Sequence, residues 1–194
     1  MRAFIAVLPP EEVVESLESF LAPRRTAIDA IDPWRWTRPE HLHLTLAFIP
    51  DLEEWREEPL IESGMAFVAR QDPLTLSLAG AGAFPDPGAA RILWAAVEGE
   101  EQKSTLAAWA KGFRALASRA GARVDGTRFS PHVTVARSGG RPRAAGHLVQ
   151  SLDTLHTGSW VADEVHLIAS HLGEGPRRTP RYEIRHTWGF TGRS

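Results

Sequence analysis

Two short stretches of this chain combine residue types that can handle protons and hold an anion. One is Glu40-His41-Leu42-His43-Leu44-Thr45-Leu46-Ala47-Phe48. The other, 89 positions later, is Phe129-Ser130-Pro131-His132-Val133-Thr134-Val135-Ala136-Arg137. Each contains His-x-Thr with apolar residues on both sides of the threonine. With 8 His and 12 Thr in the sequence, chance would supply about half of one such triplet. An imidazole, with an unperturbed pKa of about 6.5, can accept or donate a proton near neutrality. A hydroxyl two residues on can donate to an anionic oxygen. Two such pairs offer an acid, a base and two donors for developing negative charge around one reacting centre. Edge-strand histidines that merely face solvent are the plain alternative.

Strands are the elements that can position these groups. Read with period two, Leu42, Leu44, Leu46 and Phe48 face a core, while His41, His43, Thr45 and Ala47 face outward. In the second stretch His132 and Thr134 share one face and Val133 and Val135 the other. A strict strand turns Arg137 away from His132, so a phosphate-binding role for Arg137 requires a bulge or the end of the strand. Trp34, Trp36 and Phe48 lie close enough in sequence to stack a base, though tryptophans beside a core strand also serve simply as packing. His166 and Ser170 fall in a later strand that could border the same cleft.

The remaining elements read as a strand over 2–8, a helix over about 10–21, an extended run over 31–39, and an amphipathic helix over 51–70. A strand follows at 74–79, then a Gly/Pro-rich loop over 80–88, a strand at 91–97, and a long helix at 101–120 that Gly121 stops. A short helix ending near 152 and three strand candidates around 158–161, 164–170 and 181–188 complete the chain. Helices separated by hairpin-like strand pairs indicate an α+β fold with mostly antiparallel sheets. One His-x-Thr strand per half points to a single bilobal domain over 1–194, two sheet lobes related by a rough two-fold.

Composition narrows the partners. The chain has 194 residues, 43% of them hydrophobic and 24% charged, with a net charge of −2 and no cysteine. Thiolate nucleophiles, thiolate metal sites and disulfides are therefore excluded, and a reducing cytoplasm is the expected location. Residues 1–100 hold 8 basic and 17 acidic side chains, a balance of −9; residues 101–194 hold 14 and 7, a balance of +7. No long basic stripe exists to track a duplex, whereas a few arginines suffice for a single phosphate. No apolar run is long enough to span a bilayer. His41-Leu42-His43 is a His-x-His, but Glu40, Thr45 and Asp51 make a poor ligand set, so no metal is expected. A non-catalytic RNA-end binder would keep threonines and arginines without needing both histidines.

The paired motifs His43-Leu44-Thr45-Leu46 and His132-Val133-Thr134-Val135 resemble the signature of the two-histidine phosphoesterases. The nearest branch is that of the RNA 2′,3′-cyclic phosphodiesterases, also called 2′-5′ RNA ligases. The likeness spans nearly the whole chain: Arg2-Ala3-Phe4-Ile5-Ala6, Trp36 to Leu46, Gly82-Ala83-Phe84-Pro85 with Arg91 to Trp94, and Ser130 to Arg137. His41 stands where the family often has Asn, and is not carried over as catalytic. The resemblance implies a bilobal fold with an active-site cleft between the lobes and no metal or other cofactor. It implies His43 as general acid and His132 as general base, with Thr45 and Thr134 on the phosphate; the symmetric site leaves the reverse assignment of the two histidines open. The substrate it implies is an RNA 2′,3′-cyclic phosphate end or a cyclic nucleotide, opened to a 2′-phosphate. A monomer is the expected state, although the sequence itself is silent on oligomerisation.

Overall fold

The computed structural model describes residues 1–190. In chain order it forms β1 (Ala3–Val7), α1 (Glu11–Asp29), β2 (Arg35–Trp36), β3 (Leu44–Ile49), α2 (Glu54–Val68), β4 (Leu74–Leu76) and β5 (Leu78–Phe84). There follow β6 (Ile92–Val97), α3 (Glu100–Arg119), β7 (His132–Arg137), α4 (Gly146–Ser151), β8 (Trp160–Ala162), β9 (Glu164–His171) and β10 (Arg181–Gly189). The main sheet runs β10-β9-β1-β3-β7-β6-β5, with β2 on β7, and β4 pairs with β8 in a small second sheet. Every pairing among these strands is antiparallel. This is the expected α+β architecture of two sheet lobes with outer helices. The lobes β10-β9-β1-β3 and β7-β6-β5 meet edge to edge through one registered pair, Leu44 with Val133.

One face of the sheet carries the main core. Ala3, Ile5 and Val7 of β1, Leu44 and Leu46 of β3, and Val133 and Val135 of β7 all pack into it. Helix α1 covers it with Val13, Leu17, Leu21 and Ile28, and α3 with Leu106, Trp109, Phe113 and Leu116. Full burial of a large apolar side chain contributes about 1.5–3 kcal/mol, so α3 anchors the sheet firmly. The opposite face is concave and carries a much smaller cluster of Phe4, Ala6 and Ile168, edged by Phe48 and Tyr182.

Three sequence expectations are corrected. Helix α1 continues past Pro23 to Asp29, because Ile28 is in the core and the Arg24 guanidinium donates to the Phe20 and Ser151 carbonyls. Residues 80–84, expected as loop, are strand: Gly80 takes a positive φ at a bulge, and Gly82 lies flat beneath the Trp94 ring, where a Cβ would collide. Finally, neither His41 nor His43 lies within the strand: His41 ends a 3-10 turn, Pro39–His41, and β3 starts at Leu44, directly after His43.

Candidate active site

The Leu44–Val133 pair places the chemistry. An antiparallel pair is related by a local two-fold axis. Counting outward from it, His43 comes alongside the Thr134 strand segment and His132 alongside that of Thr45. All four side chains leave Leu44 and Val133 buried behind them and turn to the concave face, where each is only half-buried. Sequence alternation thus found the two pairs, and the single bridge between lobes brings them together.

Both imidazoles are locked the same way. His43 Nδ1 lies 2.7 Å from the His41 carbonyl, and His132 Nδ1 lies 2.7 Å from the Ser130 carbonyl. A carbonyl can only accept, so Nδ1 carries the proton and donates it, leaving Nε2 with the free lone pair. His41 therefore serves His43 through its backbone. Burial lowers the His43 pKa to about 4, against the raising effect of the His41 carbonyl; the charges of Arg137, His132 and His41 lower it further. Burial, then the charge of Arg137, lowers His132 as well. That Arg137 acts on both histidines, and His132 on His43, fits one shared centre.

Bulges decide what stands next to the histidines. Between β1 and β3, Ile5 pairs with Ala47 and Ala6 with Thr45, so Leu46 is the extra residue. Between β6 and β7, Leu93 pairs with Ala136 and Trp94 with Thr134, so Val135 is the extra residue. Each bulge inverts the alternation beyond it. Arg137 is thereby carried onto the His132 face, where its charge acts on both histidines and on Tyr182. Phe48, expected on the core face, is corrected to the concave face, packed beside Phe4 with the Arg2 guanidinium 4.6 Å above its ring. Phe48 and Arg137 are thus two-fold equivalents.

The aromatics that line the cleft were mostly missed by sequence reading. Phe4 stacks on His43 at 4.6 Å, and Tyr182 meets it edge-on at 5.7 Å. Phe84 meets His132 edge-on at 5.0 Å, with Trp94 at 6.1 Å. These come from β1, β10, β5 and β6, so only strand pairing reveals them. Trp34 and Trp36 are not in the cleft. Trp34 is 5% exposed in the main core, and Trp36 packs on the same side with Nε1 donating to Asp29 at 2.9 Å. Both therefore pack on the core side of the sheet, away from the histidines. His166 does lie on the concave face, paired with Ala6, but its Nδ1 is engaged by the Thr187 hydroxyl at 2.9 Å; Ser170 is paired with Tyr182.

The arrangement can move protons on two sides of a bound phosphate and surround it with donors. Among the described residues no protein group bonds the Thr45 or Thr134 hydroxyl, and no carboxylate pairs with Arg137, so all three are available to an anion. Among the described residues no group of three or more His, Cys, Asp or Glu could hold a metal ion, and no helix is long and apolar enough to cross a membrane.

Comparison with known proteins adds to this geometry. A family model described as the 2′-5′ RNA ligase superfamily matches residues 23–174. A protein of Geobacillus stearothermophilus named RNA 2′,3′-cyclic phosphodiesterase is 29% identical over 182 residues, 93% of this chain and 54% of that protein. The chain thus spans about half the length of that relative. Among solved structures, TT0787 of Thermus thermophilus is similar with a TM-score of 0.76 and 27% identity, covering 100% of both chains. E. coli LigT complexed with 3′-AMP is similar with a TM-score of 0.76 and 26% identity, covering 98% of both.

Proposed function

The chain belongs to the 2′-5′ RNA ligase superfamily, and from that premise we propose that its cleft hydrolyses RNA 2′,3′-cyclic phosphate ends to 2′-phosphates by two-histidine acid–base catalysis. Its curated relatives carry the name of that reaction. The observation that carries the reading is the matched pair of imidazoles. Each holds its Nδ1 proton on the carbonyl two residues back, which leaves Nε2 as its free nitrogen.

In the reaction, the phosphate sits between the histidines with its non-bridging oxygens toward Thr45, Thr134 and Arg137. His132, neutral, takes a proton from water as the water oxygen bonds to phosphorus. The bond from phosphorus to the ribose 3′ oxygen breaks, and His43, protonated, gives its proton to that oxygen. The products are a 2′-phosphate and a 3′-hydroxyl; proton exchange with solvent resets the pair. The role of each histidine follows the family resemblance. At a pKa of about 4 the free His43 is neutral at pH 7, so the arriving phosphate anion is what favours its protonated form. An RNA 5′-hydroxyl in place of water would form a 2′-5′ linkage by the same steps. The substrate class is an RNA end or a cyclic nucleotide, met in the cytoplasm.

Neither rival reading has an observation in its favour. A mere RNA-end binder gains nothing from two histidines with free Nε2 lone pairs, and the described residues around His41 and His43 include no third His, Cys, Asp or Glu to complete a metal site. The test is incubation with an oligoribonucleotide ending in 2′,3′-cyclic phosphate, in the presence of a chelator. The expected product end resists a 3′-specific phosphatase. A 3′-phosphate product would reverse the leaving group, and loss of activity to the chelator with recovery on adding a divalent ion would revive the metal reading.

A further inference from the structure

Among the described residues, some arginines of this chain are held by a carboxylate and others, Arg2 among them, are not. Arg25, Arg38, Arg56, Arg143, Arg181 and Arg185 are each ion-paired with a carboxylate. Among the described residues Arg2 is not; its guanidinium lies over the Phe48 ring at 4.6 Å. Its place is on the concave face: Arg2 leads Phe4 and Ala6 in period two along β1, and its carbonyl accepts from Ser170. Its charge and that of Arg137 both act on the Tyr182 hydroxyl, whose pKa burial raises and these two cations pull back. Arg2 and Arg137 therefore both lie within electrostatic reach of Tyr182. Arg137 acts on both histidines, whereas Arg2 is farther out on the His43 lobe.

In-line displacement gives that offset a meaning. Attacking water and leaving oxygen lie on opposite sides of phosphorus. If His43 protonates the ribose oxygen, the ribose and everything attached to it lie on the His43 lobe, and the water enters over the His132 lobe. An RNA strand must then leave the site across Phe4, Tyr182 and Phe48.

We propose that Arg2, held over the Phe48 ring, takes the internucleotide phosphate adjoining the cyclic end, so that the His43 lobe is the track of the RNA strand and the enzyme prefers oligonucleotide ends to cyclic mononucleotides. This rests on the reaction proposed above. Stacking on Phe48 orders a long side chain before substrate arrives, which lowers the entropy cost of the contact. A guanidinium without a carboxylate partner also has no ion pair to break when the phosphate binds.

The experiment compares kcat/KM on an oligoribonucleotide ending in 2′,3′-cyclic phosphate with that on a 2′,3′-cyclic nucleoside monophosphate lacking a 5′ phosphate. Arg2→Gln should lower the oligonucleotide-to-mononucleotide ratio by roughly 10-fold, and Arg2→Lys should keep most of it. The slope of log affinity against log salt for the oligonucleotide should fall by about 0.7, the value for one single-strand phosphate contact. Arg35, an exposed arginine on the other lobe paired with Arg137 in β2–β7, is the control, and Arg35→Gln should leave the ratio near its wild-type value. Equal losses on both substrates, or no change in ratio, would overturn the inference. A ratio that responds to Arg35 and not to Arg2 would overturn it too, and would exchange the acid and base roles. A wild-type enzyme inactive on both substrates would overturn the proposed reaction itself.

Discussion

Each histidine of the pair offers a single free nitrogen because a backbone carbonyl occupies the other, and that fixes how its protonation can be tuned. Burial lowers both pKa values, and the Arg137 charge lowers both further. The free enzyme needs one imidazole neutral and one charged, and both groups titrate below 6.5. The bell-shaped profile of kcat/KM should therefore peak below about pH 6.5. Removing a nearby cation favours the charged forms, so in Arg137→Gln both values rise and the maximum moves to higher pH. The same variant should lose roughly 10²-fold in rate through a missing phosphate donor. Steady-state kinetics across pH checks both effects. A maximum that stays in place while the rate falls would mean that Arg137 binds phosphate without setting the histidines' charge.

Strand pairing, more than residue type, decides which side chains join those histidines. The His-x-Thr pairs are legible in sequence because alternation is local to a strand. Arg137 is legible only as a condition, the need for a bulge, and the pairing of Leu93 with Ala136 and Trp94 with Thr134 supplies it. The matching bulge at Leu46 carries Phe48 from the expected core face into the cleft, and nothing within β3 alone announces it. Phe4, Tyr182, Phe84 and Trp94 reach the site from four other strands, so their roles depend on a register that no single segment encodes. Glycine and proline crowd the stretch around Gly82, which on composition reads as loop. It is strand because Trp94 lies over it and leaves no room for a Cβ. Gly82→Val should push Trp94 off its place beside His132, costing about 1–3 kcal/mol by overpacking and roughly 10-fold in kcat/KM through the displaced cleft wall. Thermal melts and kinetics on the folded variant test this; stability lost with activity intact would mean that Trp94 has no part in the site.

Across the whole molecule, charge and symmetry are arranged around the two histidine motifs. The acidic excess of the first half lies on α1 and α2, where Glu11, Glu12, Glu15, Glu54, Glu58 and Glu62 are exposed. Helix α1 covers the core face of the sheet, and α2 packs on α3 and β10. The concave face keeps Arg2 and Arg137 without carboxylate partners among the described residues. Two lobes joined by one registered pair, Leu44 with Val133, present His43 and His132 as two halves of one device. Groups that act on the same transition state do not contribute independently. The most direct measurement is therefore the rate of cyclic-phosphate hydrolysis by the wild type, His43→Ala, His132→Ala and the double variant. Each single variant should lose at least ~10²–10⁴-fold, and the double variant should lose little more than either alone. Losses that multiply in the double variant would contradict a shared phosphate between the two histidines.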